Sequence, residues 1–202
     1  MEGRAKGGNE KGAFPGEPAH PFLEEVLKGL MKEGLSSQDR RAAWEDLARK
    51  GLLEELVRLL ERKAQERPED ERINLLLGEG ARRMAEEAAG RPDWEDWVEK
   101  ADRAYERVLG RNPENWEARF GRAALSARSP AGGGRRREGM ARLEELIRWQ
   151  RDKAPRPAFS KTYLLLGRLY AEKGDRDAAQ RVWEEGLERF PEDQDLRRLV
   201  QR

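Results

Sequence analysis

The chain has 202 residues, 40% of them charged and 37% apolar, with a mean hydropathy of −1.01. That balance is too polar for one thick core and suits thin layers of helices that each bury one stripe. Basic and acidic side chains nearly cancel, 41 against 40, so there is no global electrostatic case for nucleic acid. With no cysteine and one histidine, His20, disulfides, thiolate chemistry, Ser-His and Cys-His pairs and a histidine metal site are all excluded. No metal and no cofactor is expected. The longest apolar runs, such as Leu75-Leu76-Leu77, are far too short to span a bilayer.

In chain order, residues 1–19 are rich in Gly, Pro and charge and offer little to bury, which predicts a disordered arm. They also lack the apolar core of a signal peptide, so the expected location is the cytoplasm. Pro21 opens a helix within an extra segment at 20–36. Leu23, Val26, Leu27, Leu30 and Met31 give it one apolar face, and Gly34 ends it. Ser36 or Ser37 then caps a helix running to Lys50.

The clearest pattern lies at 160–193. Tyr163, Leu166, Gly167 and Tyr170 form an aromatic-x2-Leu-Gly-x2-Tyr run, Gly174 marks a turn, and Ala179, Trp183, Gly186 and Pro191 follow. Small residues at 167 and 179 let two helices approach, aromatics fill the gaps beside them, and the proline stops the second helix. A fainter copy sits at 37–70: Lys50-Gly51 and Pro68 recur 123 residues later as Lys173-Gly174 and Pro191. There Trp44 and Leu56 replace the small residues. Two further units, 71–113 and 114–159, carry insertions. The first has Leu77, Gly78, Ala81, Ala101, Tyr105 and Val108, with about ten extra residues around Ala85 to Trp97. The second has Phe120, Gly121 and Ala124, a turn swollen by Ser129 to Arg137, and a return helix from Met140 to about Lys153. Residues 194–202 read as a capping helix.

This pattern resembles the tetratricopeptide repeat, whose period is 34 residues. The resemblance implies an all-α, right-handed superhelical solenoid of about four antiparallel helix pairs. It also implies a non-enzymatic interaction scaffold that holds a partner peptide or helix in a concave groove lined by the first helix of each pair. By the family's register, the groove residues would be Gln38, Arg41 and Glu45; Arg72, Leu75 and Glu79; Asn115, Ala118 and Arg122, with Arg119 adjacent; and Lys161, Leu164 and Arg168. The stripe leans basic, which suits an acidic partner. Some members hold chaperone C-termini with a Lys/Asn ladder. Glu45 stands where that ladder needs an asparagine, and Lys161 and Leu165 break it likewise.

The insertions offer other readings. Trp94 and Trp97 lie on one helix face, as packing for the inserted turn or as an exposed aromatic anchor, with Asp93 as the helix cap. Arg135, Arg136 and Arg137 close a GGGRRR stretch that reads as a solvated loop or as an anion- or RNA-binding contact without interleaved aromatics. Residues 119–153 hold ten basic and four acidic side chains, whereas 84–100 hold two basic and six acidic. These opposed patches pair either within one chain or between copies, the latter making a self-assembling homo-oligomer.

Overall fold

The computed structural model describes residues 21–129 and 133–201; residues 1–20, including the expected arm at 1–19 and His20, residues 130–132 of the expected swollen turn, and Arg202 lie outside the described residues. Ten α-helices follow one another there: α1 Pro21–Leu30, α2 Ser37–Arg49, α3 Leu53–Glu66, α4 Glu71–Glu87, α5 Trp94–Arg111, α6 Trp116–Ala127, α7 Gly133–Arg151, α8 Ser160–Glu172, α9 Arg176–Arg189 and α10 Gln194–Val200, with a 3-10 turn at Pro157–Phe159. No strand occurs among the described residues. The all-α class read from the sequence is the class the chain adopts. Helices α4 and α5, α6 and α7, and α8 and α9 pack as pairs. In addition α4 touches α6, α6 touches α8, and α8 touches α10, so the first helices form one layer.

Three of these first helices start the same way. Pro68-Glu69-Asp70, Pro113-Glu114-Asn115 and Pro191-Glu192-Asp193 end one helix and open the next. The side chains of Asp70, Asn115 and Asp193 accept the N–H of Ile73, Ala118 and Leu196 at 3.0, 2.9 and 3.0 Å. Six residues after each proline, Asn74, Arg119 and Arg197 donate back to the proline carbonyl at 3.1, 2.6 and 2.6 Å. Each corner therefore satisfies a helix-end donor and a loop carbonyl together.

The turns inside the first and last pairs are also alike. Gly51 and Gly174 hold φ of +66° and +88°, where a side chain would be strained. Leu52 N–H bonds the Leu47 carbonyl at 3.0 Å and Asp175 N–H the Tyr170 carbonyl at 2.9 Å, which closes both helices identically. Gly34, expected to end α1, lies four residues beyond its last residue, Leu30, in the turn before α2, where it holds the same left-handed region with φ of +74°.

Small residues set how closely helices approach. A Cβ on Gly167 would lie 2.1 Å from Trp183 Nε1, and one on Gly78 would lie 2.6 Å from Tyr105 Cε1. In the first pair, where Trp44 and Leu56 stand instead, the fully buried Trp44 reaches Gly80 of α4, and the Arg83 guanidinium lies over its ring at 5.3 Å.

Three expectations need correction. First, the third unit is registered two residues later than Glu114. Gly121 does not face its own return helix: a Cβ there would lie 2.3 Å from Cζ of Tyr105 on the preceding helix. Ala123, Ala124 and Ala127 belong instead to the core shared with Met140, Leu143 and Ile147 of α7. Second, the RRR stretch is not a loop, because α7 already begins at Gly133. Third, Asp93 precedes α5 without capping it by a side-chain bond; its carboxylate accepts from Trp97 Nε1 at 3.1 Å and from Arg91 at 2.6 and 3.0 Å. The insertion of the second unit lengthens both helices, to 17 residues in α4 and 18 in α5, against 13 and 14 in α8 and α9.

The core falls into two clusters. One runs from α1 to α5 and takes Ala118 and Leu125 of α6; the other takes the remaining apolar positions of α6 and everything to α10. Helix α6 is thus the seam.

Candidate functional site

The layer of first helices presents a row of incompletely buried apolar side chains. Leu75 of α4, Phe120 of α6 and Leu164 of α8 are each half-buried, and each is the fifth residue of its helix. Phe120 is braced by stacking on Trp116, with ring centroids 5.0 Å apart at 14°.

Lys161, in the second position of α8, is an exposed residue, yet burial by surrounding protein lowers its pKa. Glu79 acts against that shift, as does Glu117, while Arg40 and Arg82 add to it. Charged side chains of α2, α4, α6 and α8 therefore lie near enough to one another to act on Lys161. The pKa of Arg41 is raised first by its hydrogen bond to Glu45 and also by Asp195 of α10.

The floor between α4 and α6 is filled by Tyr105 of α5, which is wedged between Gly78 and Gly121. Burial pushes its phenol up to about 12, and Glu79 and Glu86 act the same way against Arg82. Burial works against the Arg82 charge, but Glu86, Tyr105 and Glu79 around it raise its pKa overall.

Most of the expected groove cations are already engaged. Arg41 pairs with Glu45 at 2.7 Å. Arg72 holds Glu33 at 2.6 Å and the Met31 carbonyl at 3.3 Å, tying α4 to the end of α1. Glu79 pairs with Arg83 at 3.3 Å. Arg119 is locked onto Pro113 and lies over Trp149 at 5.3 Å. Arg122 leaves the groove altogether. It turns to α5, where it meets Asp102 at 2.7 and 3.0 Å and Glu106 at 3.0 Å beside a separate cleft of about 540 Å³. Asn115 and Ala118 are buried in the α6 corner. Lys161 and Arg168 are exposed, and among the described residues neither has a carboxylate within ion-pair distance. The sequence reading missed Arg40, Arg82, Glu117 and Phe120. Registering α6 on its Pro-Glu-Asn cap would have found the last two.

The insertions fold inward. Trp94 and Trp97 are buried, so the exposed-anchor reading does not hold. The Lys100 ammonium covers Trp97 at 4.6 Å, and the Arg135 guanidinium covers Trp94 at 5.4 Å. Arg135 also pairs with Glu95 at 3.1 Å and Arg128 with Glu86 at 3.2 Å, while Arg136 pairs with Glu172. Arg137 is exposed on the first turns of α7. The opposed charge patches thus meet within one chain. Sedimentation at low salt is accordingly expected to show no self-association that added salt reverses.

Among the described residues no group of three or more acidic side chains or histidines is arranged to hold a metal ion, and no helix is long and apolar enough to cross a membrane.

Residues 160–201 match the family model described as Tetratricopeptide repeat. No curated protein sequence matches the chain. Among solved structures, the chain is similar to a thermophilic TPR protein of Thermus thermophilus, at 18% identity and a TM-score of 0.64, over 89% of this chain and 87% of that one. The 160–201 segment matches the tetratricopeptide repeat in its sequence, and the chain as a whole shares the helical-repeat fold of a TPR protein.

Proposed function

We propose that this chain is a non-enzymatic scaffold that holds a segment of a partner protein in the groove of its first helices. The observation that carries the reading is the row of Leu75, Phe120 and Leu164, three half-buried apolar side chains at one position of the first helices of three successive pairs, α4, α6 and α8. Apolar groups already framed by protein gain from being covered, and they lose little side-chain entropy in the process. The surrounding ion pairs Arg41–Glu45 and Glu79–Arg83 form a polar rim of the kind interfaces have.

The test is affinity capture from the native source with the parent chain and with a Leu75→Asp, Leu164→Asp double variant, compared by quantitative mass spectrometry. Circular dichroism checks the fold, and Leu75→Gln, Leu164→Gln serves as the milder pair. Each central anchor is worth about 1–2 kcal/mol, so the double variant should retain its specific partner at least about tenfold less well. A partner retained equally by folded parent and variants places the interface elsewhere.

A further inference from the structure

The cleft of about 540 Å³ beside Arg122 lies outside the groove, where α5 and α7 flank α6, and its volume takes a few side chains of a ligand. Its apolar lining is Trp94, Leu125 and half-buried Val98. Around these stand six carboxylates and four guanidiniums. All four guanidiniums are taken: Arg103 by Glu99, Arg135 by Glu95 at 3.1 Å, Arg142 by Glu138 at 2.8 Å, and Arg122 by Asp102 and Glu106. Two negative charges are therefore in excess. One is Asp96, which among the described residues has no cation within ion-pair distance. The other arises because Arg122 serves two carboxylates. It is bidentate on Asp102, at 2.7 and 3.0 Å, and gives exposed Glu106 a single contact at 3.0 Å. Asp96 and Glu106 lie ten residues apart on α5, about 15 Å along the helix. The chain's own Arg135 illustrates the chemistry the cleft accepts, with its guanidinium over Trp94 at 5.4 Å while it pairs with Glu95.

We infer that this cleft is a second docking surface, for a basic extended segment of another protein, separate from the segment held in the groove and independent of that reading. One cation of the segment meets Asp96, a second meets Glu106, and an apolar residue between them covers Val98 and Leu125. In an extended segment, residues i, i+2 and i+4 project to one side, and i and i+4 stand about 13 Å apart. Long Arg or Lys side chains span the small difference from the spacing of the two carboxylates, and the arginine fork suits a carboxylate. The pattern required of the partner is Arg/Lys-x-apolar-x-Arg/Lys. A cleft walled by an excess of one sign of charge also draws such a segment in from solution. Self-docking is not the reading, because the opposed charge patches of this chain already meet within one molecule.

The probe is a fluorescein-labelled peptide with Arg-Ser-Leu-Ser-Arg at its centre and Gly/Ser flanks, titrated by fluorescence anisotropy into the full chain. Controls carry Gln-Ser-Leu-Ser-Gln or Arg-Ser-Ser-Ser-Arg at the centre. The arginine–leucine peptide should bind about fivefold or more tightly than either control, and its advantage over the glutamine peptide should shrink as salt rises. Asp96→Asn, Glu106→Gln should remove that advantage. Both side chains are exposed, and the pairs of Arg122 with Asp102 and of Arg135 with Glu95 stay, so folding should survive; a thermal melt checks it. Glu55→Gln, Glu69→Gln, at exposed carboxylates outside the cleft, and Leu75→Asp, Leu164→Asp in the groove should leave the advantage unchanged. A photo-crosslinker at Glu99 should reach this peptide and not the partner held in the groove. Equal binding of the arginine and glutamine peptides, no binding of the arginine–leucine peptide, or a preference that survives Asp96→Asn, Glu106→Gln overturns the inference. So does a preference lost in folded Leu75→Asp, Leu164→Asp, which would put the peptide in the groove. Equal binding of the leucine and serine peptides, with displacement of both by spermidine, overturns it as well and would leave a site for any small polycation.

Discussion

Gly139→Leu is expected to destabilise the chain by about 3 kcal/mol or more, at or beyond the upper end of ordinary overpacking. A Cβ at Gly139 of α7 would lie 2.2 Å from the backbone nitrogen of Ala127 and 2.5 Å from its Cα. Backbone cannot turn aside as a side chain can, so α6 and α7 would have to part. At Gly167 the obstacle is the Trp183 indole, which can rotate away, so the same change there should cost less. Gly110→Ala in α5 is the control. Nothing lies within 4 Å of its would-be Cβ, and alanine should stabilise the helix there by up to about 1 kcal/mol. Thermal or urea unfolding reads both. Equal small effects at 139 and 110 would contradict the close contact of α6 with α7.

Tyr105→Ala should cost about 3–5 kcal/mol, as large aromatic deletions in a core do. Tyr105 is buried between Gly78 of α4 and Gly121 of α6, so its loss opens a void where three helices meet and where the two apolar clusters adjoin. The wedge can be read separately from the void. Gly121→Ala should destabilise the parent, because its Cβ would lie 2.3 Å from Tyr105 Cζ. In the Tyr105→Ala background the same methyl enters empty space and should be neutral or stabilising. A double-mutant cycle by urea unfolding gives the coupling. Additive effects would mean that the two residues do not meet.

These two contacts also mark where the sequence was readable and where it was not. The last pair was legible in full, because Gly167, Trp183, Gly174 and Pro191 each act locally or against the neighbouring helix, at fixed spacing. The third unit misled because Phe120-Gly121 looks like Leu166-Gly167, yet Gly121 serves the helix before it. Which neighbour a small residue serves is a property of packing, which spacing alone does not reveal. The repeated Pro-Glu-Asp/Asn corner carries the true register, because a cap is a backbone requirement that packing cannot reassign. The GGGRRR stretch has the composition of a loop, yet its described part, from Gly133 on, is helix where Glu95, Trp94 and Glu172 hold Arg135 and Arg136. Tertiary partners there outweigh propensity. For the proposed groove, the sequence pointed to Leu75, Leu164 and Lys161, which lie on α4 and α8. Which cations are already paired was not legible, because an arginine in a one-dimensional stripe gives no sign of whether a carboxylate some 40 residues away, as Glu33 is from Arg72, already holds it.

The most direct test of the groove is site-specific photo-crosslinking to the captured partner from benzoylphenylalanine placed singly at Leu75, Leu164, Glu55 and Glu99. Leu75 and Leu164 line the proposed groove. Glu55 is exposed on α3, and Glu99 is exposed on α5 at the separate cleft. The account predicts crosslinks to the partner from 75 and 164 and none from 55 or 99. Crosslinks from 55 or 99 with none from 75 and 164 would contradict it.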